Sequence, residues 1–94
     1  MQGPSPSIRL DKWLWHARLC KTRSLAARLV ASGKIRVNSA RVVKPATPVR
    51  IGDGISYARD GRVRVLRVKG LGVRRGPAAE AQLLYEDLEP QVSD

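Results

Sequence analysis

The sequence has 94 residues, a mass of 10.4 kDa and a formal net charge of +10. Domains usually hold about 50–200 residues, so this length fits one domain and leaves no room for a catalytic domain beside a binding module. The apolar fraction of 43% is typical of globular proteins and argues against a disordered basic tail. The excess of positive charge predicts a polyanionic partner, which is either a nucleic acid or an acidic membrane.

The net charge is confined to the first half of the chain. Residues 9–50 carry eleven Lys and Arg side chains and one acid, Asp11, whereas residues 51–94 carry seven basic and seven acidic side chains. A merely solvated basic surface would normally include acids as well. The distribution therefore predicts that one face, built from residues 9–50, binds the polyanion.

Cysteine usage and hydropathy indicate a cytoplasmic protein. Cys20 is the single cysteine of the sequence, which excludes an intramolecular disulfide and leaves a cysteine-based zinc site with too few ligands. Residues 1–7 lack the features of a secretory signal and are expected to form a disordered lead. No apolar run reaches the roughly 18 residues of a membrane helix, and the apolar stripes are needed for a small core, which disfavours a membrane-surface role. We expect no cofactor and no metal.

Apolar residues at helical spacing predict a first amphipathic helix over Leu10–Cys20. Asp11 lies in its first turn, where a carboxylate can accept hydrogen bonds from free backbone N–H groups. Trp15, His16 and Leu19 are expected to lie off the buried stripe. An indole in that position could stack on an exposed base or ribose.

A second helix is predicted over residues 23–32, because Thr22 is a favourable N-cap and Gly33 is suited to the position after the last turn. Its inner side is expected to carry the apolar residues Leu25, Ala26, Leu29 and Val30. The two helices are joined by a tight turn, and together they form the first structural unit.

Period-two patterns and turn residues predict a small antiparallel sheet after the helices. A short hairpin is expected around Asn38-Ser39-Ala40, and a second one, with strands 55–59 and 62–69, around Asp60-Gly61. A β-bulge is expected near Val65–Leu66, because the apolar residues change face at that point.

The remainder is predicted to be a mobile basic loop at 70–76 and a third amphipathic helix at 77–88, whose acidic last turn should fray. The predicted fold class is therefore α+β, with a helical pair, a small antiparallel sheet and a C-terminal helix. We divide the chain into the lead at 1–7, a binding domain at 8–69, the loop at 70–76, and the C-terminal helix and tail at 77–94.

The sequence offers few groups that could catalyse a reaction. His16 and Cys20 stand four residues apart on the first helix, but Cys20 belongs to the apolar stripe and nothing nearby orients the imidazole. We assign Cys20 a structural role and His16 a surface position that could adjoin a phosphate. The glycines of residues 70–76 depart from the dinucleotide-binding spacing, so a flexible basic loop is favoured over a phosphate grip on RNA. We expect no enzymatic activity.

Basic and polar residues of the two helices and the first hairpin form the candidate nucleic-acid interface. Guanidinium groups hold phosphate oxygens two at a time, hydroxyls and N–H groups at a helix N-terminus favour a phosphate, and an indole stacks on a base. The residues that supply these groups are Lys12, Trp15, His16, Arg18, Lys21, Thr22, Arg23, Ser24, Arg28, Lys34, Arg36, Asn38, Arg41 and Lys44.

Residues 9–38, RLDKWLWHARLCKTRSLAARLVASGKIRVN, closely resemble the S4-type RNA-binding domain, or alpha-L motif. The similarity continues through VRIGDGI at 49–55, which resembles the family's V-x-x-G-D-x-I turn and strand. Within the family, RLDKWLW, KTR and RRGPAAEAQLLYEDLEP look most like the ribosome-associated heat-shock members and their shorter relatives in bacterial ribosome quality control.

The resemblance implies a two-helix alpha-L motif that binds RNA through the helix pair and the next hairpin. In the ribosome-associated members the target is rRNA, with tRNA, on a free large subunit that carries a nascent peptidyl-tRNA, and the subunit is rescued or recycled without chemistry by the protein. Carried over by position, the contact residues would be Arg9, Lys12, Arg18, Lys21, Thr22, Arg23, Ser24, Arg28, Lys34, Arg36 and Asn38.

Two departures from the family are visible. Asn38-Ser39 stands where Asn-Gly is frequent, so we expect a different hairpin tip. The heat-shock members continue into a long basic C-terminal extension that has no counterpart here, and this favours the shorter relatives.

Two other functions remain open at this point. The same basic face would suit a DNA-binding or nucleoid-associated protein, and the domain also accompanies RNA-modifying enzymes, for which the chain has no room. The leading hypothesis is a monomeric, non-enzymatic factor that binds rRNA on the large ribosomal subunit, with tRNA as a second candidate ligand.

Overall fold

The computed structural model describes residues 6–59 and 61–88, in which helices pack on antiparallel strands. The elements in chain order are β1 (Ile8–Arg9), α1 (Leu10–His16), α2 (Arg23–Ala31), β2 (Ile35–Val37), β3 (Ala40–Val42), β4 (Pro48–Val49), β5 (Gly54–Arg59), β6 (Arg62–Val68), α3 (Ala78–Ala81) and β7 (Tyr85–Leu88). The main sheet has the order β3-β2-β5-β6-β7, and β1 pairs with β4 in a separate two-stranded ladder. The predicted α+β class is confirmed.

Helix α1 ends at His16, so the predicted extension to Cys20 is wrong. Arg18 adopts a left-handed φ of 60°, and the backbone N–H groups of Leu19 and Cys20 both donate to the carbonyl oxygen of Leu14, at 3.0 and 3.3 Å. This reversal turns the Leu19 side chain into the core, although helical spacing placed it outside.

Helix α2 begins where the sequence predicts. The Thr22 hydroxyl oxygen accepts a hydrogen bond from the Leu25 backbone N–H at 3.0 Å, which confirms the N-cap, and Gly33 follows the helix with a φ of +76°. Ala26 and Val30 are buried, but Leu25 is 45% exposed, so it does not lie on the inner side as expected.

The two predicted hairpins supply four of the five strands of the main sheet. Asn38 and Ser39 both have positive φ and join β2 to β3 as a two-residue turn, which confirms the first hairpin. Strands β5 and β6 pair one residue to one from Gly54↔Arg67 to Arg59↔Arg62. The predicted bulge at Val65–Leu66 is therefore wrong.

No bulge is needed because β6 carries apolar residues on both faces. Leu66 and Val68 fill the core face, while Val63, which points to the opposite face, is 57% exposed. The turn residue Asp60 lies outside the described residues.

The predicted C-terminal helix is correct only in its first part. Helix α3 ends at Ala81, a single 3₁₀ turn follows at Gln82–Leu84, and Tyr85–Leu88 forms β7. Strand β7 pairs with β6 through Val68↔Tyr85 and Val65↔Leu88. Pairing satisfies the free backbone groups along the outer edge of β6, which a helix at 85–88 would leave unpaired.

One hydrophobic core lies between the helix pair and one face of the sheet. Its fully buried side chains include Leu10, Trp13, Leu14, Val30, Ile35, Ile55, Leu66 and Val68. The β3–β4 loop closes this core at the start of α1, where the N–H groups of Leu10 and Asp11 donate to the carbonyl oxygens of Thr47 and Pro45. Within the described part of the chain, no helix is both long and apolar enough to span a bilayer.

Candidate nucleic-acid interface

Asp11, the one acid of residues 9–50, is buried and joins two arginines from different elements. Arg9 donates from Nε and Nη2 to its two carboxylate oxygens at 3.0 Å each, and Arg23 Nε lies 3.7 Å from Oδ2. The backbone N–H of Lys12 donates to Oδ1 at 2.8 Å. Asp11 itself is 3% exposed, so the acid orients two guanidinium groups without presenting its own charge to a ligand.

The two arginines remain available on the surface. The side chains of Arg9 and Arg23 are 50% and 45% exposed. The hydrogen bonds that Arg9 donates to Asp11, together with the charge of the carboxylate, raise the pKa of Arg9 above the ordinary arginine value. Arg9 therefore carries its charge throughout the pH range in which the protein could meet a nucleic acid.

Arg18, in the turn between α1 and α2, contacts the end of loop 70–76. Arg18 Nε donates to the carbonyl oxygen of Gly76 at 2.6 Å, although the two residues are far apart in sequence. Thr22 uses its hydroxyl to cap α2, so its role is to fix the helix start from which Arg23 and Ser24 project. Lys21, Ser24 and Arg28 are exposed.

The first hairpin places two arginines directly opposite each other. Arg36 of β2 and Arg41 of β3 are register partners, and both are exposed on the face of the sheet away from the core. Like charges in such a pair are destabilising. A polyanion lying across the hairpin would relieve that repulsion, and the exposed side chains of Lys34 and Lys44 extend the same basic surface.

Asn38 has both ends of its side chain engaged within the protein. Its Oδ1 accepts from the Gly54 N–H at 2.8 Å, and its Nδ2 donates to Asp53 Oδ1 at 3.1 Å. Asn38 therefore braces the hairpin tip against the turn before β5. These two hydrogen bonds give the Asn38 side chain a structural role within the hairpin.

His16 does not lie on the surface, so the expectation that it adjoins a phosphate is wrong. Its side chain is buried, and its Nδ1 lies 3.2 Å from the carbonyl oxygen of Leu71. The contact depends on loop 70–76, which folds back over α1. Helical periodicity within α1 contains no information on that loop.

Trp15 is partly exposed and has a neighbour that the sequence did not suggest. The guanidinium carbon of Arg75 lies 6.0 Å from the centre of the Trp15 ring. Loop 70–76 is thus held against α1 by several contacts, which contradicts the expectation of a mobile loop. Among the described residues, no group of three or more His, Cys, Asp or Glu side chains could hold a metal ion.

Replacing Asp11 by Asn separates the positioning of the arginines from the net charge. The variant is more positive by one unit, so charge alone predicts tighter RNA binding. We instead expect affinity to fall about tenfold, because two long side chains lose their fixed orientation and ordering each costs about 0.5–1.5 kcal/mol on binding. Fluorescence-anisotropy titration with a short hairpin RNA measures the change. An increase in affinity would contradict the positioning role.

Comparison with known proteins shows similarity to one family over the interface residues. The family model of the S4 domain matches residues 8–55. The chain is 39% identical over 91 residues to heat shock protein 15 of Escherichia coli strain K12, covering 97% of this chain and 68% of that protein. It is 28% identical over 88 residues to the RQC P-site tRNA stabilizing factor of Listeria innocua, covering 94% of each.

A solved structure has the same fold. Heat shock protein 15 of Vibrio cholerae superposes with a TM-score of 0.81 at 40% identity, over 88% of this chain and 83% of that one. The Vibrio structure is trimeric, which conflicts with the monomer expected from the sequence. The match extends beyond residue 55, so it also supports the arrangement of the second half of the chain.

Proposed function

The chain belongs to the S4 family of RNA-binding domains, and we propose that it is a non-enzymatic factor that binds rRNA on the large ribosomal subunit. The observation that carries this proposal is the burial of Asp11 beneath Arg9 and Arg23. The helix pair and first hairpin consequently expose basic charge alone. Such a surface matches a phosphate backbone over an extended length.

The proposed cellular role is the rescue, recycling or quality control of stalled subunits that carry a nascent peptidyl-tRNA. The name of the Listeria relative, an RQC P-site tRNA stabilizing factor, supports tRNA as a second ligand on the same subunit. The helix pair and the hairpin would supply the phosphate contacts, chiefly through Arg9, Arg23, Arg28, Arg36 and Arg41. Binding to ribosomal subunits would place the protein in the cytoplasm.

RNA affinity is expected to depend strongly on salt. If about six basic side chains neutralise phosphates, the logarithm of the binding constant should fall with the logarithm of salt concentration at a slope of about −4, using about −0.7 per contact for single strands. Titrations at several salt concentrations measure the slope. A slope near zero would rule out phosphate contacts as the source of affinity.

Sucrose-gradient sedimentation of the tagged full chain tests the ribosomal target. We expect the protein to migrate with free large subunits that carry peptidyl-tRNA, and the Arg23→Gln/Arg28→Gln variant to remain near the top of the gradient. A wild-type protein that stays at the top in the presence of such subunits would contradict the proposal. Side-by-side titration of matched RNA and DNA hairpins tests the alternative, because tighter binding to DNA would favour a nucleoid-associated protein.

A further inference from the structure

We propose that Trp15 and Arg75 together form a binding site for one unpaired nucleotide of RNA. The site would lie beside the helix face and would use a residue outside the segment that matches the S4 family model, which ends at residue 55. The inference rests on the proposed function, since it takes RNA as the ligand, and it adds a preference for unpaired over fully paired RNA.

Hydrogen bonds anchor loop 70–76 to α1 and to the turn that follows α1. Trp13 Nε1 donates to the carbonyl oxygen of Gly70 at 2.8 Å, and Arg18 Nε donates to that of Gly76 at 2.6 Å. These two hydrogen bonds hold both ends of the loop. Within it, Gly72 has a φ of +75°, and a Cβ at this position would lie 3.2 Å from His16 Nδ1 and 3.0 Å from Leu84 Cδ1. A residue with a side chain at position 72 would therefore be crowded by His16 and Leu84.

The loop places Arg75 beside the partly exposed indole of Trp15. Its guanidinium carbon lies 6.0 Å from the centre of the Trp15 ring, within the range of a cation–π contact. Both side chains are partly exposed, so a ligand can reach the pair. A guanidinium on an aromatic ring extends the stacking platform and keeps its N–H donors in one plane.

The Arg75 guanidinium is incompletely satisfied. Its Nε is buried and has no hydrogen-bond partner among the residues that the structure describes. A buried donor without an acceptor is unfavourable and calls for an explanation. A phosphate or base oxygen of a bound nucleotide would supply the missing acceptor after a small rotation of the side chain.

The neighbouring Arg74, unlike Arg75, has an acidic partner within the chain. Arg74 Nη2 donates to Glu80 Oε2 at 2.9 Å in an exposed ion pair. Arg74 therefore has a structural partner in the chain, whereas Arg75 has an aromatic ring and an unused donor. Arg74 is adjacent to Arg75 in the sequence and carries the same charge, so it serves as a matched control.

The chemistry of the pair favours an unpaired nucleotide. Bases within an A-form helix are stacked on each other and present no free face, whereas bases in loops and bulges can be splayed onto aromatic and guanidinium planes. Stacking of this kind tolerates any base. The pair would thus distinguish unpaired from paired nucleotides, and it would not distinguish one base from another.

The test compares two hairpin RNAs with the same stem, one fully paired and one with a single bulged fluorescent adenine analogue. For the full chain we expect tighter binding to the bulged RNA, with a change in analogue fluorescence. The Arg75→Gln variant should lose about tenfold in affinity for the bulged RNA and little for the paired RNA. The Arg74→Gln variant should preserve the preference for the bulged RNA.

Two further variants keep the result interpretable if Arg75→Gln folds poorly. Arg75→Lys retains the charge but not the flat guanidinium, and Trp15→Leu removes the aromatic face. Both should lose the preference for the bulged RNA. Equal losses on both RNAs for the Arg74 and Arg75 variants would overturn the nucleotide site while leaving the proposed RNA-binding function intact. Failure of the wild-type protein to bind either RNA would overturn both.

Discussion

The double variant Arg23→Gln/Arg28→Gln is expected to bind RNA at least about 100-fold more weakly than the wild type, because each hydrogen bond to a charged group contributes about 1.5–3 kcal/mol. Both side chains project from α2 and are exposed. Gln has nearly the helix propensity of Arg, so α2 should persist. Arg9 remains bound to Asp11, so the variant leaves no buried carboxylate without a cation. The loss should affect all RNA sequences alike, since phosphate contacts position the protein rather than select bases.

The matched control removes the same charge from the neutral half of the chain. Arg62 is the first residue of β6, Lys69 follows its last residue, and both are exposed. Their replacement by Gln should change RNA affinity only through the general electrostatic attraction, which is largely screened at physiological salt. Anisotropy titrations at one salt concentration compare the two double variants. Similar losses in both would show that the total charge, and not the helix face, determines binding.

Local sequence signals were sufficient where a side chain acts on its own stretch of backbone. Thr22 caps α2 and Asn38-Ser39 turns the first hairpin, because both effects depend on groups only a few residues apart. The same signals failed where a distant element decides. Tyr85–Leu88 has apolar residues at helical spacing, yet it becomes β7 because the edge of β6 offers backbone partners.

In the candidate site, too, some features could be predicted from the sequence and others depend on tertiary packing. Its basic residues could be found by counting charges along the sequence. Asp11 is buried between Arg9 and Arg23 because α1 packs against α2. Composition alone could not predict this arrangement. Arg75 was missed because its contact with Trp15 arises only when loop 70–76 closes over α1.

Trp13 joins the core to that loop, so its replacement is expected to have the largest effect on stability. The side chain is fully buried, and its Nε1 donates a hydrogen bond to the carbonyl oxygen of Gly70, which connects α1 to the start of the loop. Trp13→Ala should lower the free energy of unfolding by about 3–5 kcal/mol, because it leaves a large cavity in a small core. Urea denaturation followed by circular dichroism measures the loss.

Trp13→Phe separates the packing contribution from the hydrogen bond. Phe retains most of the aromatic volume but cannot donate to Gly70, so the carbonyl oxygen loses its partner at a cost of about 1–3 kcal/mol. Amide hydrogen exchange should then accelerate selectively in residues 71–76. Ile55→Val, a core change on β5 with an expected loss of about 0.5–1.5 kcal/mol, should leave the relative exchange of the loop unchanged. If both variants accelerate exchange uniformly over the chain, the loop is held by the core as a whole, and Trp13 has no special part in presenting Arg75.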